Sequence, residues 1–186
     1  FNLKLMVAVD EEGGIGRNGQ VPWNLPADLA WLEKSTKMVE DNEKTNAVIF
    51  GHRTYLSVPT EDRPYFDLFN IVLSSSAPDE DIEGVVIVRT WDDIDKTLQQ
   101  YSSKLESVWV LGGSEIYRYA MENDLVEEIR ITQIAQKFDC DAFFPCLHLL
   151  DRYDIIDERK MSENRIEYTM RTLLRRKENN NLLLPN

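Results

Sequence analysis

Short apolar runs alternate along this chain with stretches of helical period. Leu3 to Val9 (LKLMVAV) has the length and composition of a buried strand. Asn46 to Phe50 (NAVIF), Phe69 to Leu73 (FNIVL), Val85 to Val88 and Ser107 to Leu111 (SVWVL) repeat that signal. Glu127 to Ile134 reads as a further strand through Ile129, Ile131 and Ile134. Between these runs lie helix patterns. Pro26 to about Val39 sets Leu25, Leu29, Leu32 and Val39 roughly on one face, with Trp31 outside it. A short helix ends near Ser57, another opens at Thr90-Trp91-Asp92 and runs to about Tyr101, and one more follows Gly112-Gly113 through Met121. Gln136 to Leu150 reads as a long connection. Tyr153 to Ile156 and Ile166 to Leu174 follow with no helix between them, so they are expected to pair antiparallel. The alternation predicts an α/β fold: a mixed, mostly parallel sheet with flanking helices and a C-terminal antiparallel hairpin. No repeat or linker divides the pattern, so residues 1–176 read as one domain and 177–186 as a flexible tail.

The connections carry the candidate chemistry, because ligands of such sheets bind outside the carboxyl ends of the strands. Gly13 to Asp28 (GGIGRNGQVPWNLPAD) is the densest stretch. Asp10 to Trp23 forms a long loop, and loops of this length in compact domains are usually functional or mobile. Its GxGxxG subset, Gly14, Gly16 and Gly19, does not open a helix directly, so it is not read as a dinucleotide fingerprint. Pro26 suits a first helical position, where its missing N–H costs nothing. Asp28 then falls in the first turn beside Trp23, Leu25, Leu29 and Leu32. Desolvation among such neighbours raises a carboxyl pKa and suits it to sharing a proton. The plainer alternative is a carboxylate that favours the positive end of a helix.

Two other connections resemble phosphate cradles. Gly51-His52-Arg53-Thr54 follows a strand and opens a helix, offering N–H donors and a guanidinium. Gly112-Gly113 lets a ligand approach the backbone and set its phosphate on the next helix start. Arg89, at a strand end, is either an anion contact or a solvated side chain.

Composition narrows the class. The chain has 186 residues, 42% hydrophobic, enough for one sizeable core. A net charge of -12 argues against a nucleic-acid partner, which needs a basic face. An anionic ligand would need local arginine, lysine or helix-end compensation. No apolar run is long enough to span a membrane. Two cysteines, Cys140 and Cys146, point to a reducing, cytoplasmic setting without a disulfide framework. No Cys/His cluster has metal-ligand spacing, so no metal is expected.

The glycine-rich loop, Pro22-Trp23 and the acidic residue near a helix start resemble the signature of dihydrofolate reductases, and the resemblance continues to about Leu174. It implies an eight-stranded, mostly parallel sheet. It implies that Asp28 binds the pterin ring and that Thr132 orients it, with Trp23 alongside, as the catalytic group. Met6, Val7, Ala8, Leu29, Leu32, Val58, Leu111 and Tyr117 match the other substrate positions. Leu29 and Leu32 stand where relatives often carry Phe. On the cofactor side, Ala8, Ile15, Gly16, Gly19, Gln20, Gly51, His52, Arg53, Thr54, Leu73, Ser74, Ser75 and Arg89 match NADPH-binding segments. So do Gly112, Gly113, Ser114, Glu115, Ile116 and Tyr117. The family carries a cis bond between the paired glycines, and Arg53 with Arg89 would favour a 2′-phosphate. One departure stands out: Leu68 occupies the place where the family usually has an Arg that grips the glutamate carboxylate of folate.

The resemblance therefore implies a monomeric, NADPH-dependent reductase of 7,8-dihydrofolate. None of the 186 residues is left over for a fused thymidylate synthase unit. Two competitors differ in class: a reductase of the same fold acting on a ribosylated aminopyrimidine, and a non-catalytic nucleotide-binding protein. NADPH oxidation dependent on one substrate or the other separates the first two, and binding without turnover marks the third.

Overall fold

The computed structural model describes residues 1–177. Its frame is one eight-stranded sheet. In chain order the strands of this sheet and the neighbouring helices are β1 (Leu3–Val9), α1 (Pro26–Lys37), β3 (Thr45–Gly51), α2 (His52–Ser57), β4 (Leu68–Leu73), β5 (Val85–Val88), α3 (Trp91–Gln100), β6 (Leu105–Val110), α4 (Ser114–Glu122), β7 (Val126–Ile134), β9 (Tyr153–Glu163) and β10 (Ile166–Arg175). Two short strands outside it, β2 (Gly14–Gly16) and β8 (Ala142–Phe143), pair with each other.

The sheet order is β5-β4-β3-β6-β1-β7-β10-β9. Every pairing is parallel except β10 with β7 and with β9. The chain first builds outward through β3, β4 and β5, then returns through β6 to β1 and crosses to β7. That reversal opens a crevice at the carboxyl ends of β1, β3 and β6, where such sheets hold ligands.

Both faces of the central strands are buried, which is why their sequences read as near-continuous apolar runs. Leu5, Val7, Val9, Ile49 and Val110 join the core under α3 and α4. Met6, Val48, Phe50, Val72 and Trp109 form the core on the opposite face, with Trp31, Leu32 and Leu111 packed against it. A third cluster, Leu25, Ile134, Tyr168 and Met170, lies beneath Trp23 and Trp31 at the start of α1. At roughly 25 cal/mol per Å² of apolar surface, each large side chain in these cores contributes about 1.5–3 kcal/mol.

Three sequence expectations are corrected. First, α1 stops at Lys37, and its buried residues are Ser35 and Thr36, not an aliphatic stripe. Leu29 is 59% exposed, while Trp31 packs inward between two cores. Leu32 packs inward as expected, and the buried Ser35 beside it meets a polar group on the sheet: Arg130 Nη1 donates to Ser35 Oγ at 2.7 Å. Second, Gly14–Gly16 is not loop but a strand, and Ala142–Phe143 is its partner within the expected long connection. Third, β9 runs eleven residues, far beyond Ile156. It is an edge strand facing solvent, and its charged run Asp157–Lys160 both hides the strand signal and guards the edge. Asn164 and Arg165 turn the hairpin with φ of 50° and 62°, the conformation of a tight two-residue connection. The expected C-terminal tail lies, from residue 178 on, outside the described residues.

Candidate functional site

Asp28 stands in the first turn of α1 over the end of β7. Thr132, fully buried on β7, donates its hydroxyl to Asp28 Oδ1. Burial raises the Asp28 pKa above the ordinary carboxylate value; the Thr132 bond opposes that rise, and the Glu163 charge adds to it. Among the described residues the carboxyl has this one donor, which leaves acceptor capacity for a ligand. Trp23 is half-buried beside it and meets Phe138 edge to face at 5.4 Å between centroids.

The other substrate-side residues sort by face. Met6, Leu32 and Leu111 share the core that floors α1. Ala8 lies opposite Thr132 in the β1–β7 register. Val7 turns its side chain into the core on the other face, so only its main chain is shared with Met6 and Ala8. Val58 caps the C-terminus of α2 and is half-buried. Tyr117 on α4 is buried and donates to the Met6 carbonyl at 2.8 Å. Burial keeps that phenol protonated far beyond its usual range.

Opposite stands the paired-glycine turn. Gly112-Gly113 is a cis peptide, as the resemblance implied. Gly112 has φ of 107°, and a Cβ there would meet the Tyr117 ring at 3.0 Å. A Cβ on Gly113 would lie 3.4 Å from Thr54 Oγ1. Gly51 N–H donates to the Gly112 carbonyl at 2.8 Å, and Tyr117 N–H to that of Gly113 at 3.0 Å. The starts of α2 and α4 are thereby locked together, which sets Gly51, His52, Thr54, Gly113, Ser114 and Ile116 around one turn. Arg53 is exposed on α2. Ser114 Oγ donates to the Phe143 carbonyl at 2.7 Å, tying β8 to α4.

The glycine loop is anchored at its base. Asp10 is 4% exposed and accepts N–H bonds from Glu12 (2.9 Å), Gly14 (2.7 Å) and Phe138 (3.0 Å). Those bonds hold its carboxyl below the ordinary value although burial pushes the other way. Ile15 packs against the core and Gly16 is buried, whereas Gly19 and Gln20 are exposed at the tip, where Arg17 and Gln20 bridge.

Farther along, Arg89 is tied down: Nη1 donates to the Ser74 carbonyl at 2.9 Å and to that of Ala77 at 2.5 Å, and Nη2 pairs with Asp79 at 2.6 Å. It braces the loop of Ser74 and Ser75 beyond Leu73. Leu73, Glu115 and Ile116 line a depression of about 290 Å³ together with Trp91 and Tyr119. The two aromatic rings stack at 4.3 Å and 12°. Sequence reading passed over both; a tryptophan directly after the Thr90 cap was the available signal.

A mostly parallel sheet with a shielded carboxyl over the end of β7 and a glycine turn between helix starts beyond β6 has the layout of a ligand-binding α/β protein. Comparison with known proteins gives the family. The model described as Dihydrofolate reductase matches residues 2–175. The dihydrofolate reductase of Drosophila melanogaster is 40% identical over 148 residues, 79% of this chain and 81% of that one. That of Aedes albopictus is 36% identical over 176 residues, covering 91% and 95%. A bifunctional dihydrofolate reductase-thymidylate synthase of Arabidopsis thaliana is 34% identical over 177 residues, 92% of this chain but 31% of the relative. The chain belongs to the dihydrofolate reductase family.

Proposed function

We propose that this protein reduces 7,8-dihydrofolate to 5,6,7,8-tetrahydrofolate with NADPH, supplying one-carbon metabolism and thymidylate synthesis. The observation that carries the reading is the Asp28–Thr132 pair, a carboxyl of raised pKa fixed by a buried hydroxyl at the mouth of the crevice.

Thr132 holds Oδ1, so the rest of the Asp28 carboxyl faces the N–H donors on the amidine-like edge of the pterin. Two parallel bonds there fix the ring's orientation. A carboxyl that keeps its proton closer to neutral pH is better matched to proton delivery than an exposed one. In this reading the proton reaches N5 of the pterin through a water held near Trp23. Met6, Leu32 and Leu111 supply the apolar wall that excludes other water.

The residues present fit NADPH: the glycine turn has no room for a Cβ at Gly112, and the exposed Arg53 offers charge in a chain of net -12. Gly51 to Thr54 and Gly112 to Tyr117 would hold its phosphates, and the Trp91-lined depression its adenosine end. When bound, NADPH supplies the hydride that goes to C6 of the pterin. Closure of the loop tip, Arg17 to Gln20, would shield the nicotinamide while the Asp10 anchor stays fixed.

Both cysteines are free thiols, in keeping with a reducing, cytoplasmic setting, and we read the chain as working as a monomer. Among the described residues no helix is long and apolar enough to cross a membrane. The test is NADPH oxidation dependent on dihydrofolate, run beside NADH. Absence of turnover with dihydrofolate rejects the assignment; equal use of NADH rejects the role given to Arg53.

A further inference from the structure

Helix α1 begins without a cap of its own. Leu25 precedes it and offers no side-chain acceptor, and Pro26 fills the first position. First-turn N–H groups stay unpaired unless something outside the helix accepts them. Here Ala27 N–H donates to Glu163 Oε1 at 3.1 Å, a partner 136 positions away at the end of β9. The same oxygen accepts the Tyr168 hydroxyl at 3.0 Å. Tyr168 is 2% exposed and packs with Leu25, Ile134 and Met170. Next to Glu163, Asn164 Nδ2 donates to the Asn24 carbonyl at 3.2 Å. The hairpin tip thus grips the chain on both sides of the helix start.

We propose that Glu163 is a positioning residue for the reaction: it docks the first turn of α1 onto the C-terminal hairpin and sets a second carboxylate behind Asp28. The proposal rests on the reading of Asp28 as the group that holds and protonates the pterin. Asp28 directly follows Ala27, so the bond that fixes Ala27 also fixes the direction in which Asp28 enters the crevice. The Glu163 charge repels the ionised form of Asp28 and adds to burial in keeping its proton on.

Other groups facing this layer do not cancel that charge. On β7, Arg130 and Glu128 pair with each other at 3.2 Å, and Arg130 also binds Ser35. On β10, Tyr168 is a neutral donor whose phenol is pushed up to about 12. Lys34 on α1, Lys137 in the loop before β8 and Arg165 in the hairpin turn are exposed. On α1 itself Glu33 pairs with Lys37.

The test separates charge from docking. In Glu163→Gln the acceptor oxygen remains and the charge is gone. Carboxyl NMR of the ligand-free protein is expected to show the Asp28 midpoint lowered by about half a unit or more. The alkaline limb of kcat/KM for dihydrofolate should move down alike. Glu163→Ala removes the acceptor too, and KM for dihydrofolate should rise several-fold; the Gln variant restores KM but keeps the pH shift. An Asp28 midpoint and pH profile in Glu163→Gln that overlay the wild type overturn the electrostatic half. An unchanged KM in Glu163→Ala overturns the docking half. If the wild-type protein does not reduce dihydrofolate at all, the functional assignment fails. The ligand-free titration then still decides whether Glu163 acts on Asp28.

Discussion

Replacing Asp28 by Asn separates what the carboxyl does for turnover from what it does to stability. The two effects should have opposite signs. For turnover, the change removes the one acid beside the crevice that Thr132 orients. Loss of a positioned proton donor lowers rates by roughly 10²–10⁴-fold. NADPH binding should survive, because the glycine turn stands on the other wall. For stability, the ionised carboxyl has a single donor among the described residues and is half-buried. An undercompensated charge of this kind costs about 1–3 kcal/mol, and partial exposure reduces that to about 1 kcal/mol.

The sign with pH follows from the raised pKa. A carboxyl whose folded pKa lies above its unfolded value favours folding below the unfolded pKa. That advantage is lost as pH rises through the folded value. The Asn variant has no such dependence. It should therefore melt close to wild type at about pH 4 and above it at about pH 8, by about 2–4 °C for a chain of this size. Thermal unfolding of the ligand-free proteins at both pH values, beside steady-state turnover, reads both effects. A variant that keeps more than about a tenth of wild-type turnover refutes the proton-delivery role. A lower melting temperature at the alkaline pH refutes the claim that the carboxylate is held against its own solvation.

Thr132→Val removes the bond that lowers the Asp28 pKa, so the alkaline limb of kcat/KM should move up by about one unit; an unmoved or lower limb rejects that partnership. Gly14→Ala would put a Cβ 2.3 Å from Cys140 Cβ, so β2 must shift away from the segment that leads into β8. Denaturant unfolding should show a loss of about 1–3 kcal/mol together with slower turnover, and a wild-type midpoint would show that the pairing is slack. Leu68 is 9% exposed at the start of β4, and the nearby Arg63 already donates to the Leu56 carbonyl and Thr60. Leu68→Arg should lower KM for dihydrofolate about tenfold and leave a substrate lacking glutamate unchanged; an equal effect on both would sink the carboxylate argument.

Legibility in the sequence followed burial. Strands β1, β3, β4 and β6 are covered on both faces, so each shows as a dense apolar run. Glycines at Gly51 and Gly112-Gly113 and the Thr90 capping box marked α2, α4 and α3. Edge strand β9 was cut short because one-sided, charged sequence carries no apolar run. Strands of three and two residues, β2 and β8, have no period to detect. The inward face of α1 departs from an aliphatic stripe because its buried positions are two hydroxyls, Ser35 bonding to Arg130 on the sheet and Thr36 to carbonyls of its own helix. Asp28 and Thr132 were legible through the family signature. Their contact, 104 positions apart in sequence, and the cap from Glu163 were not, since long-range pairs leave no local mark.

Because β10 is inserted between β7 and β9, the last strand among the described residues lies inside the sheet. A nascent chain on the ribosome has β7 as a bare edge until residues near Tyr168 emerge. Until then Leu25 and Trp23 lack the floor on which they rest, and the α1 start lacks its acceptor. The reactive corner is therefore complete only once β10 has been made, and a chain released before it would be without one.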